Sequence, residues 1–250
     1  MAVYAEENLP KALKESPAFK SKNYKQALIN AFLEIDRQLG TPEGKKELQK
    51  INARSPPSNP HFPQGNADDI AEHAGCTACA VLITKTEIYI ANAGDSRCVL
   101  SKNGIAINMS EDHKPELESE KSRVEKAGGY VEDNRVNGVL NLSRSLGDLE
   151  YKRNKKLKPE EQMVTAVPEV KVEKISNECD FLLLACDGIW DCLSSQEAVN
   201  FIISKREAQP KISKAIEDMM DYILPNDINE KNGLGCDNMT CIAIFFKKIK

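Results

Sequence analysis

A chain of 250 residues has room for one large domain or two small ones, and enough length to bury a core. With 41% hydrophobic and 29% charged residues it has a globular composition, and its net charge of −4 gives no general attraction for nucleic acid or an anionic membrane. No apolar run approaches the ~18 residues of a membrane span, and the opening MAVYAEENLPKALKES lacks the basic start and apolar stretch of a signal peptide.

The periodicity of NYKQALINAFLEIDRQL predicts a helix, with Leu28, Phe32, Ile35 and Leu39 on one face and Asn23 as N-cap. Residues 54–75 hold four prolines and little apolar content, and the segment 40–75 is read as a mobile surface loop. GCTACAVLI, EIYIANAG, SRCVLSK and GIAINM then read as short strands, the last two joined by Asn103-Gly104, a hairpin pair. The gaps are too short for helical crossovers, so antiparallel pairing is expected, and the first run is apolar enough to be covered on both faces. ELESEKSRVEKAGG predicts a helix stopped by Gly128-Gly129. FLLLACDG reads as a strand. SSQEAVNFIISK reads as a helix whose Ser194 and Glu197 have capping-box spacing. KISKAIEDMMDYIL is an amphipathic helix, and MTCIAIFFKK a closing strand. The pattern favours an α+β fold of antiparallel sheets covered by helices.

Most of the eight cysteines lie in apolar runs, where a free thiol behaves as a small hydrophobe. Cys76 and Cys79 form a CxxC, but on a strand they point to opposite faces, and no second pair accompanies them. A reducing, intracellular setting, cytoplasmic or nuclear, is expected.

Three aspartates stand at strand ends, each with a glycine within two residues: Asp95 in NAGDSR, Asp187 in ACDGIWD and Asp237 in GLGCDNMT. Asp-Gly and Asp-Asn are also ordinary turn pairs, so each one alone reads as a turn residue. Carboxylates gathered in one place repel unless cations neutralise them, and such oxygen-rich clusters suit Mg²⁺ or Mn²⁺.

Taken in order, the motifs resemble those of the type 2C protein phosphatases, metal-dependent enzymes acting on phosphoserine and phosphothreonine. AGCTACAVLI resembles the family's Ser-Gly-x-Thr-Ala strand, and YIANAGDSRCVL its Ala-Asn-x-Gly-Asp-Ser-Arg hairpin. SEDHKPELESEKSRVEKAGGYV and RVNGVLNLSRSLGD resemble the next two elements, while FLLLACDGIWD and CDNMT resemble the two late metal-ligand motifs. The resemblance implies one domain over residues 1–250, with two antiparallel sheets between outer helices (α-β-β-α) and a water activated at two Mn²⁺ or Mg²⁺ ions. It implies that Asp187 and Asp237 bind that pair, with Gly188 and Asn238 beside it, and that Asp95 and Asp191 help hold a third, weaker ion. Trp190 reads as a packing anchor. Residues 149–166, with five basic side chains in LEYKRNKKLKPEE, match the family's variable flap, and Arg144 matches a structural element.

The family's Asp-Gly-His-Gly-Gly, source of a metal-bridging aspartate and a proton-donating histidine, does not occur in these 250 residues, nor does its phosphate-binding arginine. His61, His73 and His113 stand in other contexts, and none is assigned the acid role. The resemblance begins at the helix that follows this motif. An incomplete gene model, more than an evolved short form, is therefore expected, lacking at least two or three strands and impaired in catalysis. The alternative is a pseudophosphatase that binds phosphoproteins or a regulatory partner. A monomer acting on phosphoproteins, without nucleic acid or membrane, is expected.

Overall fold

The computed structural model describes residues 1–54, 66–208, 211–227 and 233–247. The chain opens with α1 (Ala2–Glu15), α2 (Pro17–Lys20) and α3 (Tyr24–Leu39). α3 is the expected amphipathic helix: Asn23 Oδ1 accepts the Gln26 amide at 3.3 Å, and Leu28, Phe32, Ile35 and Leu39 are buried.

The segment 40–75 is not the loop that its prolines suggested. It forms α4 (Pro42–Arg54) and α5 (Ala67–His73), with residues 55–65 outside the described residues. α4 starts because Thr41 Oγ1 accepts the Gly44 amide at 3.1 Å, and it is held because Leu48 and Ile51, one turn apart, are buried. Asn66 Oδ1 caps α5, accepting the Asp68 and Asp69 amides at 3.0 Å, and the two acids lie where the helix dipole favours them.

The strands and remaining helices follow in chain order: β1 (Gly75–Cys76), β2 (Ala78–Ile83), β3 (Glu87–Ala93), β4 (Arg97–Lys102), β5 (Ile105–Asn108), α6 (Glu118–Lys126), β6 (Val131–Glu132), β7 (Arg135–Val136), β8 (Leu146–Gly147), β9 (Glu169–Lys174), β10 (Cys179–Ala185), α7 (Asp187–Trp190), α8 (Ser195–Ala208), α9 (Ile212–Ile223) and β11 (Cys241–Phe245). No described helix is long and apolar enough to cross a membrane.

The residues gather into two compact units interleaved in sequence. The first comprises Met1–Ala78, Ala91–Gly94 and His113–Val170. Its five N-terminal helices are joined by β1, which pairs antiparallel with β8. GCTACAVLI is therefore not one strand. It breaks at Thr77, and its two halves join different sheets. At the centre of this unit Glu120 on α6 is buried, receiving Arg144 Nη2 at 2.7 Å, Arg123 Nη1 at 2.8 Å and Ser143 Oγ at 2.7 Å. Arg144 also donates to the Val167 carbonyl at 3.2 Å, so it has the hydrogen-bonding structural role expected of it, but its side chain is half-buried, not buried. In residues 149–166, Lys152 bonds Asp36 and Arg153 bonds Glu72, whereas Lys155, Lys156 and Lys158 face solvent.

The second unit comprises Cys79–Ile90, Asp95–Asp112 and Lys171–Lys250. Its four-stranded sheet has the order β11-β10-β4-β5 with every neighbour antiparallel, and a second sheet has the order β2-β3-β9. β10 buries both faces. Leu182 and Leu184 pack with Ile88, Ile90, Cys98 and Leu100 between the sheets, while Phe181, Leu183 and Ala185 pack with Ile189, Val199, Ile202 and Met219 beneath α7, α8 and α9. β2 was expected to be covered on both faces, yet it is only half-buried and Ile83 is exposed, because it lies at the outside of its sheet. Asn103 and Gly104 both have positive φ, 50° and 79°, and close the β4–β5 hairpin as their sequence requires.

Candidate metal centre

The register of the four-stranded sheet brings the aspartates to one end. Ala185, the last residue of β10, lies opposite Arg97 on β4 and Cys241 on β11. Both neighbours run antiparallel to β10. Asp95, two residues before Arg97, therefore leaves the sheet at the same end as Asp187, two residues after Ala185, and Asp237, four residues before Cys241.

Asp187 begins α7 and Asp237 precedes β11, and their segments are locked together by backbone. The Cys186 amide donates to the Thr240 carbonyl at 3.2 Å. A Cβ on Gly188 would stand 2.4 Å from the Asn238 carbonyl oxygen, so only glycine permits this approach. Each carboxylate is oriented by the next amide: Gly188 donates to Asp187 Oδ1 at 3.0 Å, and Asn238 to Asp237 Oδ1 at 2.6 Å. Asp191 lies one turn beyond Asp187, donates its amide to the Asp187 carbonyl at 2.8 Å, and is exposed.

Asp95 does not sit on a hairpin tip. β3 and β4 belong to different sheets, and Gly94-Asp95-Ser96 is the crossing between them. Gly94 has φ +116°, and a Cβ there would meet the Thr77 side chain at 2.5 Å. Asp95 is only 2% exposed. The turn is braced by His113, whose amide donates to the Gly94 carbonyl at 3.0 Å.

Arg97 joins several of these parts. Its guanidinium donates to both oxygens of Asp112, at 2.9 and 2.7 Å, and to Ser195 Oγ at 3.2 Å, and lies 5.2 Å from the centre of the Trp190 ring. The bond to Asp112 raises its pKa against the cost of burial, and the charges of Asp112, Glu111 and Asp191 add to the rise. Trp190 itself is buried and donates Nε1–H to the Ala185 carbonyl at 2.7 Å, which bears out the packing role read for it.

His113 is buried, and burial above all, helped by the charge of Arg144, lowers its pKa to about 4. A neutral imidazole at pH 7 is a poor proton donor, which agrees with assigning it no acid role. His73 bonds Glu150 at 3.1 Å in the first unit, and His61 lies outside the described residues. All eight cysteines are free thiols. One of them, Cys186, was read only as a small hydrophobe. Its Sγ in fact donates to the Asn238 carbonyl and accepts the Thr240 amide, both at 3.2 Å, and its place directly before Asp187 was the available signal.

The donor chemistry fits Mg²⁺ or Mn²⁺, because carboxylate oxygens are their preferred protein ligands. Among the described residues no three histidine, cysteine, aspartate or glutamate side chains converge into a cage.

Residues 1–231 match the family model described as protein phosphatase 2C. The chain belongs to the protein phosphatase 2C family. It is 44% identical over 247 residues to probable protein phosphatase 2C 6 of Paramecium tetraurelia, an alignment covering 99% of this chain and 79% of that protein. Probable protein phosphatase 2C 58 of Oryza sativa subsp. japonica is 41% identical, with coverage of 99% and 73%. The fold is shared with the crystal structure of serine-threonine phosphatase 2C from Toxoplasma gondii, at a TM-score of 0.71 and 20% identity, covering 98% of this chain and 81% of that one.

Proposed function

We propose that this protein phosphatase 2C chain is a metal-dependent serine/threonine phosphatase whose substrates are phosphoserine and phosphothreonine proteins. The observation that carries the reading is the register that places Asp95, Asp187 and Asp237 at one end of one sheet. Asp187 and Asp237 would hold the tighter pair of ions, and Asp95 and Asp191 a third, more hydrated one. Such ions, when bound, lower the pKa of a water and stabilise charge on the phosphoryl group. The chain's own part is orientation. Local amide bonds aim the two carboxylates, and the contact of Gly188 with Asn238 fixes the spacing of their segments. Within these 250 residues no Asp-Gly-His supplies a bridging carboxylate, and His113 is held neutral, so slow turnover is proposed for the chain by itself. A monomer in the cytoplasm or nucleus, without nucleic acid or membrane, remains part of the proposal.

A second reading is a phosphoprotein-binding pseudophosphatase. It rests on the lack of an Asp-Gly-His among these 250 residues. One experiment separates the two. Mn²⁺ stoichiometry and phosphothreonine-peptide turnover are measured for Asp95→Asn, Asp187→Asn, Asp191→Asn and Asp237→Asn. The measurements use the chain itself and a chimera in which a relative's Asp-Gly-His-Gly-Gly segment precedes Met1. The chimera should turn over faster and lose activity with chelator. Asp187→Asn and Asp237→Asn should lose the tighter ions, and Asp95→Asn and Asp191→Asn only the weaker one. Phosphopeptide binding with no turnover in either protein would establish the second reading. Equal loss of metal in all four variants would overturn the division of the carboxylates.

A further inference from the structure

The parts of Asp95 and Asp191 in the reaction rest on the reading above, but the structure goes further by showing what holds the two relative to each other. Asp95 leaves the sheet two residues before Arg97, so the backbone of β4 fixes its origin. Asp191 closes α7, directly after Trp190. Arg97 connects the two segments. Its backbone is in the β4 ladder opposite Ala185, and its side chain reaches the Trp190 ring and the first residue of α8.

We infer that Arg97 is the positioning residue for the outer pair of carboxylates, coupling the Asp95 crossing to the α7 turn that carries Asp191. The guanidinium suits the task because it is planar and five-pronged. Two prongs are taken by Asp112, one reaches Ser195, and the guanidinium carbon lies over the indole, 5.2 Å from the ring centre. Ser195 is fixed in turn by donating to Asn108 Oδ1 at 2.7 Å, so the contact at α8 does not drift. A lysine would keep the charge but lose the fork and the stacking.

Trp190 is the only tryptophan of the chain and reports directly on this contact. The test compares Arg97→Lys and Arg97→Gln with the unaltered protein by Trp190 emission, acrylamide quenching and Mn²⁺ titration followed by electron paramagnetic resonance. Both variants should shift Trp190 emission to the red, make it more accessible to acrylamide, and weaken the weaker Mn²⁺ binding event by about tenfold, the low end for groups that orient metal ligands. The tighter event should move less. Unchanged emission and quenching in both variants would overturn the inference. So would full recovery of the weaker Mn²⁺ event in Arg97→Lys, since charge alone would then suffice. A fall in melting temperature with Mn²⁺ binding unaltered would mark Arg97 as structural only and also overturn it. Asp191→Asn is the control for the parent reading. If it leaves every Mn²⁺ event unchanged, that reading fails, whatever Arg97 does.

Discussion

Replacing Glu120 by glutamine tests the buried network of the first unit. The change keeps the volume of the side chain and removes its charge, leaving the guanidiniums of Arg123 and Arg144 without their shared counter-ion. Burial opposes ionisation of Glu120, but the bond from Arg144, the charges of Arg123 and Arg144, and the Ser143 hydroxyl outweigh it and hold the carboxyl at about 2. Against the 4.5 of a free glutamate this is on the order of 3 kcal/mol, at roughly 1.4 kcal/mol per pH unit. Breaking a buried ion pair by removing one partner costs about 3–5 kcal/mol, so the two routes agree. The expected loss in a urea titration is therefore about 3 kcal/mol, and the melting temperature should fall by roughly 6–12 °C for a chain of this size. The pH dependence supplies a second arm. A folded pKa below the unfolded one gives stability that is complete above about 4.5 and is lost as pH falls towards 2. Glu120→Gln should flatten the acid limb of the stability curve in that window. A loss under about 1 kcal/mol, with the acid limb unchanged, would refute the argument that this network carries the element around Arg144.

Trp190→Phe should keep most of the burial but leave the Ala185 carbonyl without its indole donor, costing about 1–3 kcal/mol in chemical denaturation, and a cost near zero would mean that the bond contributes nothing. For His113 the sign is set by its depressed pKa. The unfolded chain takes up the proton first, so stability holds above 6.5 and falls as pH drops from 6.5 towards 4, by up to roughly 3 kcal/mol. His113→Gln should remove that slope, and a curve identical to that of the unaltered protein would show that His113 does not titrate this way.

Much of the local structure was legible because its causes lie within four residues along the chain. Asn23 caps α3, Ser194 and Glu197 cap each other at α8, and Asn103-Gly104 closes the β4–β5 hairpin, each as its spacing requires. The family was legible for a related reason, since its motifs are short and keep their order. α4 was missed because its window is strongly polar and its only large apolar side chains that face inward are Leu48 and Ile51. Burial by the rest of the first unit stabilises it, more than any propensity a reader of the sequence could weigh.

By itself the sequence determined which residues end strands: Asp187 after an apolar run, Asp95 beside a glycine, Asp237 before the last strand. Tertiary structure alone decided which of those ends meet. Nothing local states that β3 and β4 part into different sheets, or that Ala185 stands opposite both Arg97 and Cys241. Register between strands is set by which faces bury their side chains. Leu182 and Leu184 must lie between the sheets, while Phe181 and Leu183 must face the helices, and a slip of one residue would reverse both. That packing fixes the alignment of β10 with its neighbours, and the alignment carries the three aspartates to one end of the sheet.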